Sequence, residues 1–125
     1  MPNYKLGFIG AGAMAEAIIN GVLSNGLYPK DQVIASDIDG DRLEYINDTF
    51  SLKTTQDNDE VLNAAEVIVL AVKPQFLQEV IKEFKTDISS EKLFVSIAAG
   101  VSTSSLENLL GEVPVIRVMP NTPSL

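Results

Sequence analysis

The sequence predicts an α/β fold built on a doubly wound parallel sheet. Three observations carry that expectation. Short apolar runs rich in Val and Ile alternate along the chain with stretches of helical period. The connections between them are short, as in a sheet with helices wound onto both faces. The run Val67 to Val72 is continuously apolar, which suits a central parallel strand buried on both sides.

Taken in order, the first strand is expected over Lys5 to Ile9, running through Gly10-Ala11-Gly12 into a helix over Ala13 to Asn25. Gly26 stands where a left-handed residue commonly closes a helix. Val33 to Ser36 reads as the second strand. A helix over Asp41 to Phe50 follows with Leu43, Ile46 and Phe50 on one face, and Leu52 to Thr54 makes a short third strand. Asp57 or Asn58 can cap a short helix ending near Ala64. After the fourth strand, Val67 to Val72, the segment Gln75 to Phe84 is amphipathic, with Phe76, Leu77, Val80, Ile81 and Phe84 at helical spacing. Leu93 to Ile97 gives the fifth strand. Ser104 and Glu107 have the spacing of a capping box at the start of a helix through Leu110, and Val115 to Val118 gives the sixth strand. With strand and helix alternating six times, the strand order expected of such a sheet is 3-2-1-4-5-6, with a ligand crevice at the carboxyl ends where strands 1 and 4 diverge. Residues 1–125 read as one domain.

Composition narrows the chemistry. At 125 residues and 46% hydrophobic content the chain can bury a core without covalent staples. It has neither cysteine nor histidine, which excludes a disulfide framework, thiolate metal sites, Ser-His-Asp and Cys-His catalysis and the usual zinc chemistries. Lys, Tyr and carboxylates remain as ionisable catalysts, and no metal is expected. Nine basic residues against seventeen acidic ones give a formal charge of −8 with no basic stripe, which argues against nucleic-acid or anionic-membrane partners. The opening Met-Pro-Asn-Tyr-Lys lacks the basic and apolar regions of a signal peptide, and no apolar run is long enough to span a bilayer. A cytoplasmic protein is the expectation.

The most informative stretch is Leu6 to Ile19, where a strand passes through Gly-x-Gly-x-x-Ala into a helix. In that context Gly10 makes the tight turn, Gly12 lets backbone approach phosphates, and Ala15 lets the helix pack close to the strand. The free N–H groups of the first helical turn and the helix dipole favour a pyrophosphate there. The fold is therefore expected to be of Rossmann type and to bind a dinucleotide, whose own reactivity makes histidine and cysteine dispensable. Asp37, just after the second strand, can accept hydrogen bonds from ribose hydroxyls and would repel a 2′-phosphate. Asp39 and Asp41 follow closely, so a solvated acidic turn is the competing reading, and Arg42 could swing toward a 2′-phosphate. Three further strand ends are expected at the same crevice: Ala71-Val72-Lys73-Pro74-Gln75, where a solvent-facing lysine is the competing reading; the small residues Ser96-Ile97-Ala98-Ala99-Gly100, equally a tight strand-to-helix turn; and Arg117-Val118-Met119-Pro120-Asn121-Thr122-Pro123, whose prolines stiffen an Asn-Thr pair and which by itself reads also as a domain exit.

Together with Gly10-Ala11-Gly12-Ala13-Met14, Glu16 and Ala17, these strings resemble, in order and spacing, the pyrroline-5-carboxylate reductases, over essentially the whole chain. The resemblance implies that Ile9, Gly10, Ala11, Gly12, Ala13 and Met14 hold the pyrophosphate of NADP(H) or NAD(H), and that Ser36 and Asn58 lie near the adenosine end. It implies that Ala71, Val72, Lys73 and Pro74, with Ala98, Ala99 and Gly100, flank the nicotinamide, and that Asn121 sits close to nicotinamide and substrate. The reaction implied is hydride transfer to the cyclic C=N of 1-pyrroline-5-carboxylate, giving proline. An imine that binds already protonated needs no strong acid beside it. No side chain of this chain is assigned a catalytic role.

Two departures from the family pattern stand out. Many members carry Asn-Arg or similar after the second strand and favour NADPH, whereas Asp37-Ile38 leans toward NADH or dual use. The family also continues past the Pro-Asn-Thr-Pro loop into a helical domain that forms the dimer and much of the substrate site. The chain is thus expected to be the cofactor-binding half, inactive alone, with a homodimer or higher oligomer formed only through that second domain. The sequence leaves open another two-domain dehydrogenase of the 6-phosphogluconate or 3-hydroxyacid type, and a non-catalytic dinucleotide sensor.

Overall fold

The computed structural model describes residues 4–86, 88, 92–97, 101–111 and 113–118. Its elements are β1 (Tyr4–Ile9), α1 (Ala13–Ser24), a 3-10 turn (Lys30–Gln32), β2 (Val33–Ser36), α2 (Gly40–Phe50), β3 (Lys53–Thr55), α3 (Asn58–Ala64), β4 (Ala65–Leu70), α4 (Pro74–Lys82), β5 (Leu93–Ser96), α5 (Thr103–Leu110) and β6 (Val115–Arg117). The strands form one sheet in the order β3-β2-β1-β4-β5-β6, every pair parallel. This is the expected Rossmann-type arrangement.

Strand alternation builds two cores, one on each face. Leu6 and Phe8 of β1, Val33 and Ala35 of β2 and Val69 of β4 pack with Ala15, Ile19 and Val22 of α1 and Leu43 and Ile46 of α2. The intervening Ile9, Ile34, Ile68 and Leu70 face the other way, against Val61 and Leu62 of α3, Leu77 and Ile81 of α4 and Leu106 and Leu110 of α5. The period-2 split is what a sheet covered on both faces requires. Gly7 lies on the α3 side, where a Cβ would come within 2.6 Å of Val61 Cγ1 and 2.8 Å of Ala65 Cβ. A side chain there would force α3 off the sheet, an overpacking penalty of about 1–3 kcal/mol.

Several details differ from expectation. β4 starts at Ala65, in register with Tyr4, before its continuously apolar run begins. The capping box expected at Ser104 and Glu107 does not form: Ser102 is the N-cap of α5, and its hydroxyl accepts from the Ser105 N–H. A Ser two residues upstream competes for the same role, and helix start is decided by which residue keeps extended backbone; Ser102 does, at φ −79° and ψ 157°. The end of α1 is as expected, with Gly26 at φ +66°.

Asp59, in the first turn of α3, ties down the chain beyond α4. One of its oxygens accepts from the Lys85 and Thr86 N–H groups and from the Thr86 hydroxyl, at 2.8 to 2.9 Å. Burial pushes this carboxyl up, but the Thr86 and Lys85 hydrogen bonds outweigh it and hold the group below the usual carboxylate range. A depressed folded-state value stabilises the fold above the unfolded carboxyl range, near pH 4, and that contribution disappears as pH falls through the folded value. Asp59→Asn is therefore expected to cost about 1–2 kcal/mol at neutral pH. The gap from the parent should close in thermal melts taken stepwise below pH 4, and a gap independent of pH would remove Asp59 from the account.

Candidate dinucleotide site

The crevice opens where β1 and β4 end side by side. Gly10 leaves β1 with its N–H donating to the Ser36 carbonyl at 2.9 Å, and Ala71 leaves β4 with its N–H donating to the Ile9 carbonyl at 2.8 Å. Gly10 takes φ +100°, and a Cβ on it would lie 2.8 Å from the Ala71 carbonyl oxygen, so both conformation and space demand glycine. Gly12 is the N-cap of α1, at φ −78° and ψ −164°. The position its Cβ would occupy has no atom within 4 Å. Helical hydrogen bonding begins with the Glu16 N–H donating to the Gly12 carbonyl at 2.9 Å, which leaves the N–H groups of the first helical turn to an outside acceptor. The exposed Gly12, the helix dipole and these donors together make a seat that a pyrophosphate fits.

A cavity of about 560 Å³ runs from this turn along the strand ends. Ile9, Gly10, Gly12, Asp37, Asn58, Ala71, Val72 and Lys73 line it, so residues distant in sequence share one wall. Lys73 is exposed and is the N-cap of α4, with Pro74 at the first helical position. No ion pair among the described residues engages it. Ala13 is exposed and Met14 half-buried at the opening turn of α1. Ser36 stands off the wall: it is fully buried, and its hydroxyl donates to Asn58 Oδ1 at 2.6 Å, fixing a residue that does line the crevice. Ala98, Ala99, Gly100 and Asn121 lie outside the described residues.

Ala11 is held by both ends of its backbone. Its N–H donates to Asp37 Oδ2 at 2.8 Å and its carbonyl accepts from Arg42 Nε at 2.5 Å. The other Asp37 oxygen accepts from the Asp39 N–H at 2.9 Å. Asp37 thus clasps the glycine turn to the β2–α2 turn, and each oxygen keeps a lone pair for a ribose hydroxyl. Behind the turn, Arg42 pairs with Glu16, lies 4.8 Å from the centroid of the Tyr45 ring, and Tyr45 donates to Glu16 Oε2 at 2.7 Å. Those bonds from Tyr45 and Arg42 hold the Glu16 carboxyl below the usual carboxylate range, and donating to Glu16 pushes the Tyr45 hydroxyl up.

Sequence reasoning missed part of the wall. Ile38 is 88% exposed beside Asp37, and Phe76, Glu79, Val80 and Glu83 face the crevice from α4. Phe76 and Val80 read as core positions from their spacing, yet the sheet takes only Leu77 and Ile81 into full burial. An apolar stripe two residues wide on a short helix has one edge that faces outward, and here that edge faces the cavity.

The model of the family described as NADP oxidoreductase, coenzyme F420-dependent, matches residues 5–100. The pyrroline-5-carboxylate reductase of Methanosarcina acetivorans is 40% identical over 122 residues, 97% of this chain and 45% of its own length. That of Haemophilus influenzae is 41% identical over all of this chain and 46% of its own length. Among solved structures, the pyrroline carboxylate reductase of Plasmodium falciparum with NADP bound superposes at a TM-score of 0.81 with 31% identity, over 98% of this chain and 44% of that one. The Coxiella burnetii enzyme superposes at 0.77 with 36% identity, over 97% and 45%. The Aquifex aeolicus prephenate dehydrogenase, at 16% identity and a TM-score of 0.77, shares the fold alone. The chain spans somewhat less than half the length of the curated relatives it matches. With the glycine turn, the switch-point crevice and a family model matched across most of its length, this chain belongs to the NADP oxidoreductase, coenzyme F420-dependent family.

Proposed function

We propose that the chain is the cofactor-binding half of a pyrroline-5-carboxylate reductase, working in the cytoplasm. The observation that carries this reading is alignment with such reductases along the whole chain at about 40% identity, with the glycine turn at the crevice rather than elsewhere on the surface. Substrate walls and any oligomer interface are assigned to the part of the relatives' length that this chain does not span.

In this reading the N–H groups opening α1 hold the pyrophosphate, and Gly12 admits it because no side chain stands in the way. Asp37 accepts from the adenosine ribose, beside Ile38 and Asn58. Val72, Lys73 and Pro74 support the nicotinamide end, with Ala98, Ala99, Gly100 and Asn121 contributing there. The bound NADH or NADPH supplies the hydride that reduces the cyclic C=N of 1-pyrroline-5-carboxylate to proline. Phe76 and Val80 shield that end from water, and the backbone contributes orientation. A chain without histidine suits a substrate whose nitrogen arrives protonated.

Titration with NADH and NADPH, followed by cofactor fluorescence, should give saturable binding. Gly12→Val should abolish it while thermal melting stays within a few degrees of the parent, because the added side chain enters open space. Binding that survives Gly12→Val would place the phosphates elsewhere. Oxidation of NADH with the cyclic imine is expected from a polypeptide spanning the relatives' full length and not from residues 1–125 alone. A full-length polypeptide that binds cofactor yet never turns over this imine would overturn the substrate assignment.

Asp37→Ser removes the carboxylate that repels a 2′-phosphate. The ratio of NADPH to NADH affinity should rise about tenfold or more, the worth of one charge-assisted contact. Absolute NADH affinity should fall, since the Ala11 N–H loses its charged acceptor. An unchanged ratio would strip Asp37 of any part in cofactor choice.

A further inference from the structure

Both oxygens of Glu16 are engaged, Oε1 by Arg42 Nη2 and Oε2 by the Tyr45 hydroxyl. The guanidinium so held also donates to the Ala11 carbonyl and stacks on the Tyr45 ring. Arg42 is absent from the crevice wall, whereas Asp37 and Ile38 form part of it. Yet Asp37 and Arg42 grip the two backbone ends of the same residue, Ala11, so the guanidinium stands within one side-chain swing of the ribose-facing carboxylate. Around it the β2–α2 turn and the first turn of α2 carry Asp37, Asp39 and Asp41.

We propose that Glu16 is a specificity-determining positioning residue: it holds Arg42 against the back of the glycine turn and so withholds that cation from a 2′-phosphate. The inference rests on the dinucleotide reading above and deepens it. A 2′-phosphate dianion binds by recruiting a guanidinium fork. To recruit Arg42 it must break an ion pair, a charge-assisted bond to a carbonyl and a stacking contact, in surroundings already bearing three carboxylates. A free 2′-hydroxyl asks for none of this, because Asp37 accepts from it directly. Cofactor choice is then set by two acids with separate tasks: Asp37 faces the ribose, and Glu16 keeps the neutralising charge behind the turn. Tyr45 supports Glu16 from the other side.

The test is a double-mutant cycle on the whole chain, reading dissociation constants for NADH and NADPH by cofactor fluorescence. Glu16→Gln should raise the ratio of NADPH to NADH affinity about tenfold, any loosening of the Ala11 turn weakening both cofactors alike, and Tyr45→Phe should give a smaller shift of the same sign. Glu16→Gln combined with Arg42→Ala should return the preference to that of Arg42→Ala alone, since the effect runs through the guanidinium. Glu16 and Tyr45 are both partly exposed, and thermal melts would verify that each variant is folded. A preference unmoved in both folded single variants, or a gain that persists without Arg42, overturns the proposal. Failure of the parent chain to bind either dinucleotide would sink the underlying reading first, and this inference with it.

Discussion

The backbone of Gly10 passes so close to that of Ala71 that even a methyl group would meet the Ala71 carbonyl oxygen at 2.8 Å. That approach is the constraint on which the rest depends. β1 must end, turn sharply and start α1 on one face of the sheet, while β4, its neighbour, ends and starts α4 on the other. The crevice is the gap those two departures leave. Only a residue without Cβ satisfies both the left-handed turn and the contact, so the close passage of the two strand ends that border the cavity depends on a single glycine.

A chain of net charge −8 is an unexpected receptor for a polyanion, and the distribution of charge resolves the difficulty. Attraction at the phosphate seat comes from backbone N–H groups and a helix dipole, which act over a few ångströms and need no lysine. Net charge acts over a Debye length and is screened at physiological salt. The acids near the seat have partners where they stand: Glu16 pairs with Arg42 and accepts from Tyr45, and Asp37 accepts from two N–H groups while keeping its charge. Lys73 lines the same wall, with the carboxylates of Glu79 and Glu83 on that cavity as well.

Much of this was legible in the sequence. Val67 to Val72 announces a central strand because both its faces are apolar, and Gly10-x-Gly12 between a strand and a helix announces the seat, because both signals are local. The start of α5 was misplaced because Ser102 and Ser104 offer the same capping chemistry two residues apart, and only the backbone chooses. Periodicity marks the apolar stripe of α4 without saying where the neighbouring surface stops, so it does not separate the cavity-facing Phe76 from the buried Leu77. The bonds from Asp37 and Arg42 to Ala11 were invisible for a different reason: they join residues 26 and 31 positions apart, through backbone atoms that carry no sequence signature.

Those two bonds also explain how a turn dominated by glycine and alanine keeps a defined shape. Small residues give access to phosphates but bring no side-chain packing of their own, and a free turn of this composition would sample many conformers at an entropic cost. Here the order is imported. Asp37 and Arg42 arrive from β2 and α2 and fix the Ala11 N–H and carbonyl, so the peptide planes on either side of it are set before any ligand arrives. Preorganisation of this kind lowers the cost of binding, and it joins Asp37 and Arg42 to the glycine turn in one network. Changing Asp37 therefore disturbs the turn. Asp37 and Glu16 act on that turn from two sides, Asp37 directly through the Ala11 N–H and Glu16 through the guanidinium that holds the Ala11 carbonyl.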